Sequence, residues 1–166
     1  MTGASRILGV DPGTLKMGYG VIEALGDNHQ ALAYGVLQAS TKTPLEDRLA
    51  RLFQELLSVM DLWRPTAVAV EEPYVGGNPR TSLAVGRAQA LVLLASSQRG
   101  IPVSRHTPAE VKSYVTDYGR GSKSQVQQMM QRLLSIPDPL PPDAADALAV
   151  ALCHLWSRNP LLEATR

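Results

Sequence analysis

The sequence predicts an α/β domain built on a mixed sheet. Three strand-like runs come first, at residues 6–11, 17–24 and 31–38, and helical segments then alternate with single strands. Two apolar runs close on an acid: Ile-Leu-Gly-Val on Asp11 and Ala-Val-Ala-Val on Glu71. Open α/β sheets place ligands at the carboxyl ends of their strands, so these acids mark the functional edge.

Each element has its own signal. A Pro12-Gly13-Thr14 turn joins the first two strands, and Gly26-Asp27-Asn28 precedes the third. Thr43-Pro44-Leu45-Glu46 has the pattern of a capping box with proline at the first helical position. Leu45, Leu49, Leu52, Phe53, Leu56, Leu57 and Met60 then fall on one face of a helix ending near Pro65. Residues 66–71 read as a buried strand. Asn78-Pro79 starts a helix running to about Gln98, in which Gly86 and Ala90 permit close approach by a neighbour. Residues 102–106 form a fifth strand. Capping boxes at Thr107–Glu110 and Ser122–Gln125 open two further helices, separated by the basic connector Tyr118-Gly119-Arg120-Gly121. A proline-rich linker, 137–142, leads to a last helix that begins at Asp143 and runs to about Ser157.

The 166 residues suffice for one domain with a proper core, taken as 1–157, with a loose tail over 158–166. No run approaches the roughly 18 apolar residues of a membrane span, and the first residues lack a secretory core. The single cysteine, Cys153, excludes an internal disulfide and suits a reducing cytoplasm. Net charge is only +1, but from Arg99 to Arg132 six basic residues face two acidic ones. Such local basicity suits a phosphodiester substrate.

The chemistry-bearing residues are four carboxylates. Asp11 and Glu71 end buried strands; Asp143 and Asp146 stand three apart and project from one helical face. Burying acids without a partner is costly, and no Lys or Arg lies in any of the three segments. A hard divalent cation held by oxygen is the natural partner, and two such ions about 4 Å apart would serve phosphodiester hydrolysis. Ala144, Ala145 and Ala147 let the helix lie close to the sheet. Taken alone, Asp143 reads equally well as a helix cap, and Asp11-Pro-Gly as a simple turn. Glu72 adjoins Glu71 and points to the opposite face of a strand, so pattern alone leaves open which of them faces the metal. Tyr74, among Gly76, Gly77 and Arg80, is either a loop plug or a platform for an unpaired base. Lys123 opens a helix, where a cation is disfavoured unless an anion such as phosphate offsets it.

Assembled, these residues closely resemble the RuvC family of Holliday-junction resolvases. The resemblance is carried by Ile7–Thr14 with Gly18-Tyr19-Gly20-Val21, Ala69-Val70-Glu71, Gly86-Arg87-Ala88-Gln89-Ala90, Val111-Lys112, Lys123–Gln127 and Asp143–Ala149, over nearly the whole chain. It implies an RNase H-like fold with a five-stranded mixed sheet flanked by helices. It further implies a homodimer joined through the helix from Pro79 to Gln98, and paired symmetric nicking of four-way DNA junctions in recombination and repair. The nicks would carry 5′-phosphate and 3′-hydroxyl ends. By matching position, Asp11, Glu71, Asp143 and Asp146 are the catalytic acids and bind Mg²⁺, two ions per site, with Mn²⁺ as substitute. Lys112 and Lys123 match DNA-contacting positions, Tyr74 the junction wedge, and Arg80 and Arg120 join the DNA-binding set. A branch-migration helicase complex is an implied partner. The chain departs from the common Gln-Val-Phe after the catalytic glutamate by having Glu72-Pro73-Tyr74.

Three rival readings follow from the same residues. Gly9–Thr14 also resembles the phosphate loop of sugar-kinase and actin-like ATPases, but these enclose nucleotide between two domains. A non-catalytic junction scaffold predicts eroded acids, and all four are present. A related RNase H-like nuclease acting on another nucleic-acid structure differs only in substrate.

Overall fold

Alternation along β1 (Ser5–Asp11) divides the molecule into two cores. In the computed structural model, which describes residues 4–115, 122–137 and 139–158, Ile7 enters one core while Leu8 and Val10 enter the other. The strand is central in a five-stranded sheet of order β3-β2-β1-β4-β5. β2 (Lys16–Leu25) and β3 (Asn28–Gln38) form an antiparallel meander with β1, whereas β4 (Ala67–Glu71) and β5 (Val103–His106) are parallel to it. The mixed sheet expected from sequence is therefore present. β3 begins at Asn28, earlier than expected, because only Gly26, at φ 61°, and Asp27 are needed to turn the chain.

One face of the sheet is covered by α1 (Leu45–Trp63) and α2 (Pro79–Gln98), the other by α3 (Pro108–Val115), α4 (Lys123–Leu133) and α5 (Pro142–Ser157). α1 buries Leu52, Leu56, Leu57 and Met60 and stops at Arg64, whose left-handed conformation precedes Pro65. Its start differs from expectation. Pro44 is the cap residue rather than the first helical one, and no side chain caps the helix. Thr43 lies one position too early to reach the free N–H groups; Glu46 and Asp47 in the first turn favour the dipole instead. The other two capping boxes form. Thr107 and Glu110 exchange hydrogen bonds of 2.6 and 3.2 Å, as do Ser122 and Gln125 at 2.8 and 3.3 Å.

α5 is the central packing element of its face, with ten residues buried from Ala144 to His154. It lies directly on β1 and β2. The approach is close enough that a Cβ at Gly9 would overlap the Ala147 carbonyl, and one at Gly18 the Asp143 carbonyl. Cys153 is buried here as packing, in keeping with its apolar helix. α5 begins at Pro142, so Asp143 is the second helical residue and not the first. The connector at 118–121 and the tail from 159 lie outside the described residues. Among the described residues no helix is long and apolar enough to cross a membrane.

Candidate active site

Three elements deliver the acids to one edge of the sheet. Asp11 ends β1, Glu71 ends β4, and Asp143 and Asp146 occupy the first turns of α5. Alternation in β4 separates the adjacent glutamates. Ala67 and Ala69 pack in the α5-side core and Val68 and Val70 in the α1-side core, so Glu71 follows the alanines towards α5. Glu72 turns elsewhere and lies 3.6 Å from Arg105.

Carboxylate oxygens of Asp11, Asp143 and Asp146 lie within 4.8 Å of one another. Glu71 stands outside this triad but lines the same cleft, about 300 Å³ in volume, as Asp11, Asp146, Lys112 and Lys123. The two lysines arrive from α3 and α4, elements the acidic segments gave no reason to place here. They do not neutralise the acids. Burial, then repulsion from Glu71, Asp146 and Asp143, pushes Asp11 up to about 8 against the pull of Lys123. Burial, then Asp146, pushes Glu71 up to about 7, opposed by Lys112 and Lys123. Asp146 is also raised by burial; Lys123 opposes this, Asp143 adds to it and Lys112 opposes it.

Desolvation therefore outweighs the positive charge supplied by the chain. Asp11 and Glu71, which hold their protons near neutral pH, stand with Asp143 and Asp146 as an all-oxygen donor set with a deficit of cation. That chemistry fits a hard divalent ion, and the residues fit the metal that the fold implies.

Of the residues expected to meet DNA, Lys112 and Lys123 face the acids. Tyr74 is 69% exposed beside them, its carbonyl held at 2.8 Å by the Ser82 hydroxyl and its ring against Gly76. A second hollow joins Tyr74 to Asp11 and Glu71. Arg80 is exposed in the first turn of α2, away from the acid cleft, and Arg120 lies outside the described residues. Sequence reasoning missed two features. One is the bare strip at Gly9 and Gly18 that receives α5; glycines inside strands were the available signal. The other is Gln89, whose Nε2 donates to the Glu71 carbonyl at 3.4 Å and which no spacing rule singles out.

Comparison with known proteins gives consistent matches. The family model described as "Crossover junction endodeoxyribonuclease RuvC" matches residues 7–154. A protein of that name from Desulforamulus reducens is 47% identical over 153 residues, covering 91% of this chain and 94% of its own. Another from Thermomicrobium roseum is 46% identical over 160 residues, covering 95% and 98%. Among solved structures, Thermus thermophilus RuvC in complex with a Holliday junction substrate superposes with a TM-score of 0.86 at 32% identity, covering 97% of each chain. The yeast mitochondrial resolvase Ydc2 shares the fold at a TM-score of 0.63 and 15% identity, covering 90% of this chain and 78% of its own. The fold is RNase H-like.

Proposed function

Because the chain belongs to the RuvC family of crossover junction endodeoxyribonucleases, we propose that it resolves four-way DNA junctions by paired symmetric nicks. Each nick hydrolyses one phosphodiester and leaves 5′-phosphate and 3′-hydroxyl ends. The observation that carries this reading is the acid cleft faced by Lys112 and Lys123, in a chain that matches a junction-bound RuvC over 97% of its length.

Asp11, Glu71, Asp143 and Asp146 would hold Mg²⁺, two ions per site, with Mn²⁺ able to substitute. Bound metal supplies activation of the attacking water and stabilisation of charge on the leaving 3′-oxygen. The chain's own residues do the rest. Lys112 and Lys123 draw the phosphodiester into a cleft whose net charge would otherwise repel it. Tyr74, exposed at the cleft margin, stacks on an unpaired base at the junction. Arg80 and Arg120 add contacts to the DNA backbone, raising affinity without reading sequence.

Paired cutting requires two sites, and α2 offers the surface for a homodimer. Leu83, Ala90 and Leu94 are exposed on the side opposite its buried Ala88, Val92 and Ala95. The dimer would act in the cytoplasm, on junctions presented by a branch-migration helicase.

The direct test incubates the protein with a labelled synthetic four-way junction and Mg²⁺ or Mn²⁺. Linear duplex, single strand and RNA–DNA hybrid run beside it, with Asp11→Asn as control. Metal-dependent, symmetric nicks confined to the junction and sealed by ligase support the reading. Cutting of the hybrid instead would give the site to another RNase H-like activity; binding without cutting would make it a scaffold.

A further inference from the structure

The last peptide group of β4 is pinned at both of its polar atoms. Its N–H, on Glu72, donates to the His106 carbonyl of β5 at 2.8 Å. Its carbonyl, on Glu71, accepts from Gln89 Nε2 of α2 at 3.4 Å. The pairing of β1 with β4 has already ended, at Val10 and Val70. A side chain thus takes over where the strand ladder stops, and it comes from the helix that carries the exposed Leu83 and Leu94.

This peptide matters because Glu71 is the acid that the compact triad leaves out. Asp143 and Asp146 are fixed by a helix packed tightly on glycine, and Asp11 pairs with Gly18 of β2, which that helix also covers. Glu71 sits instead at the root of the loop carrying Tyr74, where rotation of the following peptide would swing the backbone that aims its carboxylate. The half-buried Gln89 amide is the second hold on that peptide, beside the bond to His106.

We propose that Gln89 is a positioning residue: by holding the Glu71 carbonyl it aims the fourth carboxylate into the cleft and ties that aim to α2. The inference rests on the metal-nuclease reading of the four acids. It predicts that loss of the amide weakens metal binding without weakening DNA binding.

Gln89→Met keeps the length and apolar stem of the side chain and removes the donor; Gln89→Leu is a second variant of similar bulk. Three readouts apply to the purified full-length chain. Hydrogen exchange in metal-free protein should accelerate locally at the Glu72 amide, roughly 3- to 10-fold, the equivalent of one net hydrogen bond. Mn²⁺ affinity, measured by calorimetry without DNA, should weaken by a similar factor. Junction cleavage should slow, recover at high Mn²⁺, and show unchanged junction affinity. Wild-type exchange and wild-type Mn²⁺ affinity in both variants would overturn the proposal, as would acceleration spread over the whole sheet. If the wild type itself binds no Mn²⁺, the nuclease reading falls, and the local exchange rate alone decides whether Gln89 holds the peptide.

Discussion

Gly18 and Asp143 meet main chain to main chain: the space a Cβ would take at Gly18 is filled by the Asp143 carbonyl. Gly18 is also the cross-strand partner of Asp11. The first turn of α5 is thereby seated opposite the end of β1, which brings Asp143 and Asp146 to Asp11. Gly18→Ala should therefore push the helix away from the strand. The expected cost is about 2 kcal/mol of stability, as for other overpacked positions. Cleavage should fall by roughly 100-fold, the scale of a 1 Å misplacement. Urea unfolding and junction cleavage measure the two effects; a variant that cuts normally would mean the seat is not needed.

Asp11→Asn should bind a junction with near wild-type affinity and fail to cut it, with cleavage down by at least roughly 1,000-fold. The same change removes a buried carboxylate crowded by three others, so the metal-free variant should be more stable than the wild type. Gel shift, cleavage and thermal unfolding in EDTA test the pair of outcomes. Normal cleavage would remove Asp11 from the catalytic set.

Metal-free protein should lose stability as pH rises. Asp11 and Glu71 have folded pKa values raised to about 8 and about 7, above their unfolded values near 4. Their protonated forms favour the fold fully below pH 4, and that contribution is lost as pH climbs through 7 and 8. Between pH 6.5 and 8.5 the melting temperature in EDTA should fall, and saturating Mg²⁺ should reverse the trend while releasing protons. A flat profile in EDTA would contradict the raised pKa values.

With saturating Mg²⁺ keeping the carboxylates ionised, an opposite limb is left on the acid side. His106 and His154 are buried with ring nitrogens 3.3 Å apart, and Cys153 Sγ is 3.7 Å from the far nitrogen of His106. Burial, then the neighbouring His106 and Arg158, pushes His154 down to about 4; burial lowers His106, partly opposed by Glu110. Burial disfavours the charged form of both rings, so this stability is complete above the unfolded value near 6.5 and is lost as pH falls, towards about 4 for His154. Replacing His154 with Met should flatten the acid limb in a pH series of thermal melts and leave the alkaline limb in place. An unchanged acid limb would assign it elsewhere.

Tyr74→Ala should slow cleavage by about tenfold, in line with a lost base-stacking contact of roughly 1–3 kcal/mol. Stability should barely change, since the ring is 69% exposed. Comparing single-turnover cleavage with the melting temperature separates the two. Unchanged cutting would reduce Tyr74 to a plug over Gly76.

Much of this was legible in the chain. Strands ending on Asp11 and Glu71 and the three-residue spacing of Asp143 and Asp146 are local patterns, and local patterns survive folding. The capping box at Thr43 failed because a one-residue shift of the helix start empties it, and spacing cannot resolve one residue. Residue pattern alone left Glu71 and Glu72 equivalent; the family resemblance chose Glu71, and the opposite cores entered by Ala69 and Val70 give the physical reason. The placement of Lys112 and Lys123 over the acids depends on how α3 and α4 cross α5, a relation between distant segments. Gln89 stood in a matching segment, but its bond to Glu71 was unreadable for the same reason: it joins β4 to a helix that starts after an intervening loop.

The acids enter the chain at its beginning, its middle and, as a pair, on the last described helix. During synthesis the meander and β4 can assemble early, but one whole face of the sheet then waits uncovered for α5. The same docking event that seals that face also brings together the triad of Asp11, Asp143 and Asp146. A nascent chain thus carries no assembled carboxylate cluster, and completion of the fold is itself the switch that would arm the proposed site.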